Sequence, residues 1–572
     1  MEANQSQISP NPETSRFEGF FLQMVTPGLE NECREIVEKV LGADWQVKSI
    51  GDNSTEFEIS LRDDALSSKD AWDKSYNMRS QPGVIDAEPL FAVPVADIKP
   101  DLDLSRELFS DEIAKESGDV TWGLQQMRVL DVWQKYFPDP NKLPGHGIVI
   151  GHPDTGYTQH PEVINNLLLD KGFNYIKRTK DPLDTLETSG GEIINNPGHG
   201  TSTASLIISP PGAQGNYANG KYVTGVAPGA KVLPLRVTYS VVLLSTRSLA
   251  EAIEYATDNG CHVITISLGT GLPNRRLRSA ILYAQKRGVI IVAASGTMIP
   301  YVVYPAAYDE VIAVTGSNIR REIWGGASRG KKVDVTAPGQ ALWHAKTRKE
   351  NGELTYNIEQ DSGTSFSAPL VAGVAALWLS YHGRDQLIER YGAENIPSIF
   401  NQLLRDSCEK FPTWKPNKFG AGIVNAEKLL ATPLPDNVNN SFISSALALQ
   451  QHSPVDSGEI ETFEHLFESQ IPTSNSISKM SKLNSSLAQL LQTDENHLPE
   501  KLKQVGKELA FHFATNPELY QEFVSALQDE EETVAQGLLG TQLESPGNKS
   551  LSNILLQQGV SNVLHDQLSR EN

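Results

Sequence analysis

The sequence predicts an α/β protein built on a doubly wound, mostly parallel sheet, preceded by a small α+β unit and followed by an α-helical extension. Three observations carry that expectation. Between residues 121 and 435, six short β-branched runs alternate with helical segments, the pattern of a parallel sheet with helices on both faces. Ahead of residue 97 the periodicity reads βαββαβ. After Pro435 the composition turns to Ser, Asn and Gln and then to acidic segments of helical period.

The elements follow in order. A polar leader, 1–16, precedes a block over 17–97 with strand "GFFLQMV", helix "LENECREIVEKVLG", strands "WQVKSI" and "EFEISL", a helix around "SKDAWDKSYNM" and strand "VIDAEPLFAVPV". Residues 98–120, "DIKPDLDLSRELFSDEIAKESGD" and its surroundings, are charged and lack a β period, and they read as an exposed, cleavable linker. The main block, 121–435, holds the runs "GIVIGH", "KVLPLRV", "HVITISL", "VIIVAA", "VIAVTG" and "VDVTA". Strands so continuously apolar are buried on both sides. Residues 436–481 read as a flexible linker, and 482–572 as an acidic helical extension. From Asp436 onward there are 19 acids against 7 Lys and Arg, so more than half of the net charge of -21 sits in the last quarter.

Composition excludes several functions. The acidic balance argues against a nucleic-acid binder, which would carry a basic stripe. The short basic runs "PNRRLRS" and "SRGKK" read as solvated faces. No run of about eighteen apolar residues predicts membrane insertion, and the start lacks the pattern of a secretory signal, so a cytoplasmic location is expected. Cys33, Cys261 and Cys408 lie too far apart for a disulfide framework or a zinc site; Cys261, within "GCHVITISLG", reads as core.

In an open parallel sheet, reactive groups belong at the carboxyl ends of strands and the amino ends of helices. "IVIGHPDTG" places Asp154 just past a buried strand. "NPGHGTSTASLIIS" places His199 at a helix start, with Gly198 and Gly200 allowing close backbone approach. "DSGTSFSAPLVAGVAALWLS" places Ser365 at the start of a long apolar helix, where free N–H groups favour a developing anion. Singly, these read as a turn, a loop and an N-cap. Together, acid, base and nucleophile supply the division of labour of nucleophilic acyl transfer.

The segments "PDTGYTQHPEV", "GHGTSTASL", "GVAPGAKVLPLRV", "ISLGTG", "YPAAYDEVIAV", "VDVTAPG", "SGTSFSAPLVAGVAAL" and "GAGIVNAE" together resemble the subtilisin-like serine proteases, over about Thr121 to Pro435. The resemblance implies a serine endopeptidase acting on protein or peptide substrates, with Ser365 as nucleophile, His199 as base and then acid, and Asp154 as the orienting carboxylate. It also implies that Ser267, Leu268 and Gly269 form the substrate strand and one pocket wall, and that Ala293, Ala294, Ser295 and Gly296 form the other. Val303 falls where many relatives have a glycine at the pocket floor, which implies a shallow pocket for a modest side chain. No cofactor is implied as required. Structural calcium sites are common in the family, but "GNYANGKY" lacks a carboxylate cluster and reads as a surface loop.

The first block resembles the family's inhibitory propeptide, a ferredoxin-like unit whose last strand leads a tail through the active cleft before it is cut; a permanent accessory domain is the alternative. One position departs from the pattern. Thr297 stands where the family carries the side-chain amide of the oxyanion hole, and loss of that amide in a subtilisin lowers turnover by about 10²- to 10³-fold. A threonine hydroxyl can still donate one hydrogen bond, and the N–H of Ser365 supplies the other. The expectation is therefore a restrained protease, with an impaired domain serving as a peptide-binding or regulatory module as the alternative. For the tail, partner docking and a solubilising or self-associating role are both open.

Overall fold

The structure is a computed structural model that describes residues 16–51, 54–61, 66–92, 116–187, 196–242, 245–436, 458–467, 470–471, 476–535 and 546–569. Most of the expected 98–120 linker, and the expected cut within it, lies outside the described residues.

The amino-terminal unit has strands β1 (Arg16–Met24), β2 (Gln46–Ser49), β3 (Glu56–Ser60) and β4 (Val84–Ala92), with helices Glu30–Leu41 and Ser68–Arg79 between them. The sheet is antiparallel in the order β2-β3-β1-β4, the ferredoxin-like arrangement. The central sheet has seven strands: β5 (Val149–Asp154), β6 (Phe173–Asn174), β7 (Lys231–Arg236), β8 (Val263–Ile266), β9 (Ile290–Ala294), β10 (Ile312–Ser317) and β11 (Val335–Pro338). They lie in the order β11-β10-β9-β8-β5-β7-β6, and every pairing is parallel. One face packs on helices His199–Ile208 and Thr364–His382, the other on Thr246–Asp258 and Arg275–Lys286. Helix Thr364–His382 has the length and hydropathy of a membrane span, yet most of it is buried in this core.

A further pair, β12 (Leu342–Glu350) and β13 (Glu353–Asp361), forms an antiparallel hairpin over helix His199–Ile208 that the sequence reading passed over. Its two-residue turn is Asn351-Gly352, both with positive φ (52° and 88°). Asn-Gly is the preferred pair where both turn residues must be left-handed, so the signal was present.

The extension is helical: Gly458–Phe467, Ser476–Leu490, Leu498–Thr515, Pro517–Ala535, Pro546–Gln557 and Asn562–Leu568. Gly458–Phe467 falls inside the segment expected to be a flexible linker. Phe463, Leu466 and Phe467 are buried there, a short apolar stripe that the Ser- and Asn-rich surroundings concealed.

The three units are clamped together by groups far apart in sequence. The "PNRRLRS" run is not the solvated face expected of it. Arg276 is 1% exposed, bonded to Glu58 of the first unit at 2.7 Å and to Glu254 at 2.7 Å, while Arg275 reaches Asp86 at 3.0 Å. Burial tends to raise the Glu58 carboxyl, but Arg276 and Arg247 outweigh it and hold the group below its ordinary value. From the extension, Lys507 bonds Asp86 and Glu88 at 2.5 and 2.7 Å, and Phe511 packs on Phe91 with ring centroids 4.6 Å apart.

One interface group makes the assembly pH-sensitive. Burial pushes the Glu18 carboxyl from 4.5 up to about 7, although the Ser245 hydroxyl bonds it at 3.0 Å and Arg247 lies near. The native pKa is the higher one, so the folded state keeps a proton that the unfolded state loses. Stability is full below the unfolded value, falls as pH rises to about 7, and is level above it. Glu18→Gln should remove this decline, worth on the order of 3 kcal/mol. Thermal melts across the interval check it; parallel curves for the two proteins would contradict it.

Candidate active site

The carboxyl ends of β9, β8 and β5 lie side by side, and helices His199–Ile208 and Thr364–His382 start against them. Asp154 ends β5, fully buried, and its Oδ1 accepts from His199 Nδ1 at 2.8 Å and from the Thr155 N–H at 2.7 Å. Burial alone would raise this carboxyl. The imidazole of His199, with its hydrogen bond, and His152 outweigh burial, so Asp154 lies below the ordinary carboxylate range and is ionised. Gly200 explains how the helix comes so close, since a Cβ there would sit 2.1 Å from the Gly156 carbonyl and 3.2 Å from the Asp154 Cβ. Asp184 fixes the helix entry by accepting the Gly198 N–H at 2.7 Å.

His152 is a neighbour the sequence reading missed. Two residues before Asp154 on the same strand, it shares that face. Its Nε2 bonds Thr203 Oγ1 at 3.0 Å and lies 3.7 Å from Asp154 Oδ2. Burial lowers its pKa, against the pull of Asp154, and keeps it neutral. Thr203 is one turn beyond His199, so strand and helix periods bring 152, 154, 199 and 203 together.

Ser365 occupies the second position of its helix, half-buried. Its Oγ donates to the Ser267 carbonyl at 3.4 Å; among the described residues no hydrogen bond joins it to His199. Pro369, four residues on, lacks the N–H that would bond the Ser365 carbonyl in a regular helix, and the Ser267 hydroxyl donates to that carbonyl at 2.8 Å. Ser267 therefore holds Ser365 from both ends.

Thr297 sits against the same helix start. Its Oγ1 accepts the Thr364 N–H at 3.1 Å and lies 3.3 Å from Thr364 Oγ1, which in turn accepts the Gly296 N–H at 3.1 Å. Of the segments Ser267–Gly269 and Ala293–Gly296, expected to form the pocket walls, Leu268, Ala293, Ala294 and Ser295 are buried. Val303 lies between them, 3% exposed: a Cβ on Gly269 would come within 2.3 Å of its Cγ2, and one on Gly296 within 3.2 Å of its Cγ1. The Gly269 N–H already donates to the Val241 carbonyl at 3.2 Å. Away from the site, the Gly215–Tyr222 loop uses the Asn219 amide on the Ile358 carbonyl and the Lys221 N–H.

The family model described as Peptidase_S8, Subtilase family, matches residues 145–422. Thermitase of Thermoactinomyces vulgaris is 31% identical over 255 residues, covering 44% of this chain and 81% of that one. The chain belongs to the subtilase family. A subtilase is a serine endopeptidase, and the strand-end acid beside a helix-start histidine is consistent with its triad. The major intracellular serine protease of Bacillus subtilis (strain 168) is 29% identical over 301 residues, covering 50% of this chain and 81% of that one. Among solved structures, fervidolysin from Fervidobacterium pennivorans, described as a keratinolytic enzyme related to subtilisin, shares the fold with a TM-score of 0.53 at 23% identity. That match covers 74% of this chain and 62% of fervidolysin. The α/β fold with its seven-stranded parallel sheet is the subtilase fold, as the strand pattern predicted.

Proposed function

We propose that this subtilase is a restrained, self-processing endopeptidase in which Ser365 is the nucleophile, His199 the base and then the acid, and Asp154 the orienting carboxylate. The observation that carries the reading is the buried Asp154–His199 bond of 2.8 Å, at strand ends that also hold the start of the Ser365 helix. In the reaction, Ser365 Oγ turns from the Ser267 carbonyl and passes its proton to His199 Nε2 while it bonds the substrate carbonyl carbon. The Ser365 N–H and the Thr297 hydroxyl donate to the oxyanion. His199 returns the proton to the leaving amine, and water then hydrolyses the acyl-enzyme by the same exchange.

Restraint is supported at three points. The Ser365 hydroxyl rests on Ser267, the Thr297 hydroxyl already accepts from Thr364, and the Gly269 N–H that a substrate strand would use is bonded to Val241. The amino-terminal unit acts as the propeptide-like inhibitor, and its contacts with both helix Arg275–Lys286 of the central unit and the extension favour its retention after cutting. Val303 makes the pocket shallow, so the residue before the cut is small. The protein works in the cytoplasm on protein substrates, a reading supported by three buried free thiols and by the printed name of the Bacillus subtilis relative. The extension's role is assigned inward, to the other two units, rather than to a docked partner.

Intact mass tests self-processing. Wild type should be cut within residues 98–120, whereas Ser365→Ala should stay whole. Equal lengths for the two would contradict it.

A further inference from the structure

We infer that the carboxyl-terminal extension is a structural part of the specificity pocket: His465 is a positioning residue that holds the 301–304 loop so that Val303 closes the floor. The inference rests on the proposed pocket and adds what sets its depth. On its pocket side, Val303 reaches both walls, at Gly269 and Gly296. The loop is shared between two cores, for Tyr301 and Val303 belong to the extension's hydrophobic cluster with Phe463, Leu466 and Phe467, whereas Val302 and Tyr304 belong to the core of the catalytic sheet. His465, on the same helix, bonds the Val302 carbonyl through Nε2 at 2.5 Å. A carbonyl can only accept, so Nε2 carries the proton. The ring also stands edge-on to Tyr301 and Tyr304, with centroids 5.5 and 5.3 Å away.

A loop whose apolar side chains alternate between two units takes its position from both, and here the extension supplies the packing around Tyr301 and Val303. The backbone of Val303 and Tyr304 is bonded to Ser295 and Thr270 of the catalytic unit at 2.8 and 2.9 Å, while the Val302 carbonyl, one residue from the side chain that fills the pocket, takes its side-chain donor from the extension. Loss of that donor lets the floor recede, and a larger side chain before the cut is then accepted. Val303 thus belongs at once to the pocket walls and to the extension's cluster, and the neighbouring Val302 carbonyl carries the extension's hydrogen bond.

The test uses the full chain and two peptides that differ only in having Ala or Leu before the cut, and reads the ratio of their kcat/KM values. That ratio does not depend on the active fraction, so loss of folded protein cannot mimic the effect. Val303→Gly should raise the Leu:Ala ratio by roughly 10-fold or more, the size expected for extra methylenes in an apolar pocket. His465→Ala should raise it several-fold in the same direction, and His465→Gln, which keeps an N–H at similar reach, should restore it towards wild type. If His465→Ala does not accumulate, His465→Leu keeps bulk without the donor and is read in the same way. A wild-type ratio in the donor-less variant while Val303→Gly shifts it would overturn the extension's role and leave the pocket reading standing. A wild-type ratio in Val303→Gly would overturn both.

Discussion

Replacing Ser365 by alanine should lower peptide turnover by about 10⁶-fold, the loss typical of a subtilisin's nucleophile, while the melting temperature stays close to wild type. The Oγ of Ser365 makes one long bond, 3.4 Å to the Ser267 carbonyl, so little stability depends on it. The link that positions the helix, from the Ser267 hydroxyl to the Ser365 carbonyl, survives the change. Stopped-flow or discontinuous peptide hydrolysis with calorimetry on the same preparations checks both halves. Residual hydrolysis above water is expected, because the Thr297 hydroxyl and the backbone N–H remain to polarise a carbonyl. Turnover within tenfold of wild type would mean that another group is the nucleophile.

Thr297→Asn should act in the opposite direction and raise turnover by up to about 10²- to 10³-fold, with KM nearly unchanged. The reason lies in how the two bonds are placed, since a hydroxyl must make both from one atom on a short side chain. The Thr297 oxygen accepts the Thr364 N–H at 3.1 Å and must donate to an oxyanion from that same atom. An asparagine divides the work, for its Oδ1 can keep the Thr364 bond while its Nδ2 reaches the oxyanion. An interaction that strengthens only as the oxyanion forms raises kcat and leaves ground-state binding alone. Steady-state kinetics on one peptide decide it, and a variant no faster than wild type would remove Thr297 from the account of restraint.

Much of the site was legible because its chemistry is local. "HPDTG", "GHGTS" and "SGTSF" each place one reactive residue at a strand end or helix start, and parallel topology brings such ends together. His152 was legible in principle through the strand's period of two, yet a histidine beside an aspartate attracts no attention until both are seen on one face. The hairpin announced itself only through Asn351-Gly352. What the sequence could not show is pairing over distance. Arg276 looks like any surface arginine until Glu58, 218 positions earlier, is placed on it, and Lys507 gives no sign of Asp86. The "FEHLF" stripe was hidden in a Ser- and Asn-rich segment, and with it the contact between the extension and the pocket loop.

Labelling with a serine-directed phosphonate, followed by peptide mass mapping, tests the central claim most directly. A covalent adduct on Ser365 is expected in wild type, absent from Ser365→Ala and strongly slowed in His199→Ala, since the hydroxyl attacks only when the Asp154–His199 pair can take its proton. A peptide inhibitor that binds wild type while the phosphonate leaves Ser365 unmodified would contradict it, and would make the domain a peptide-binding module instead of a protease.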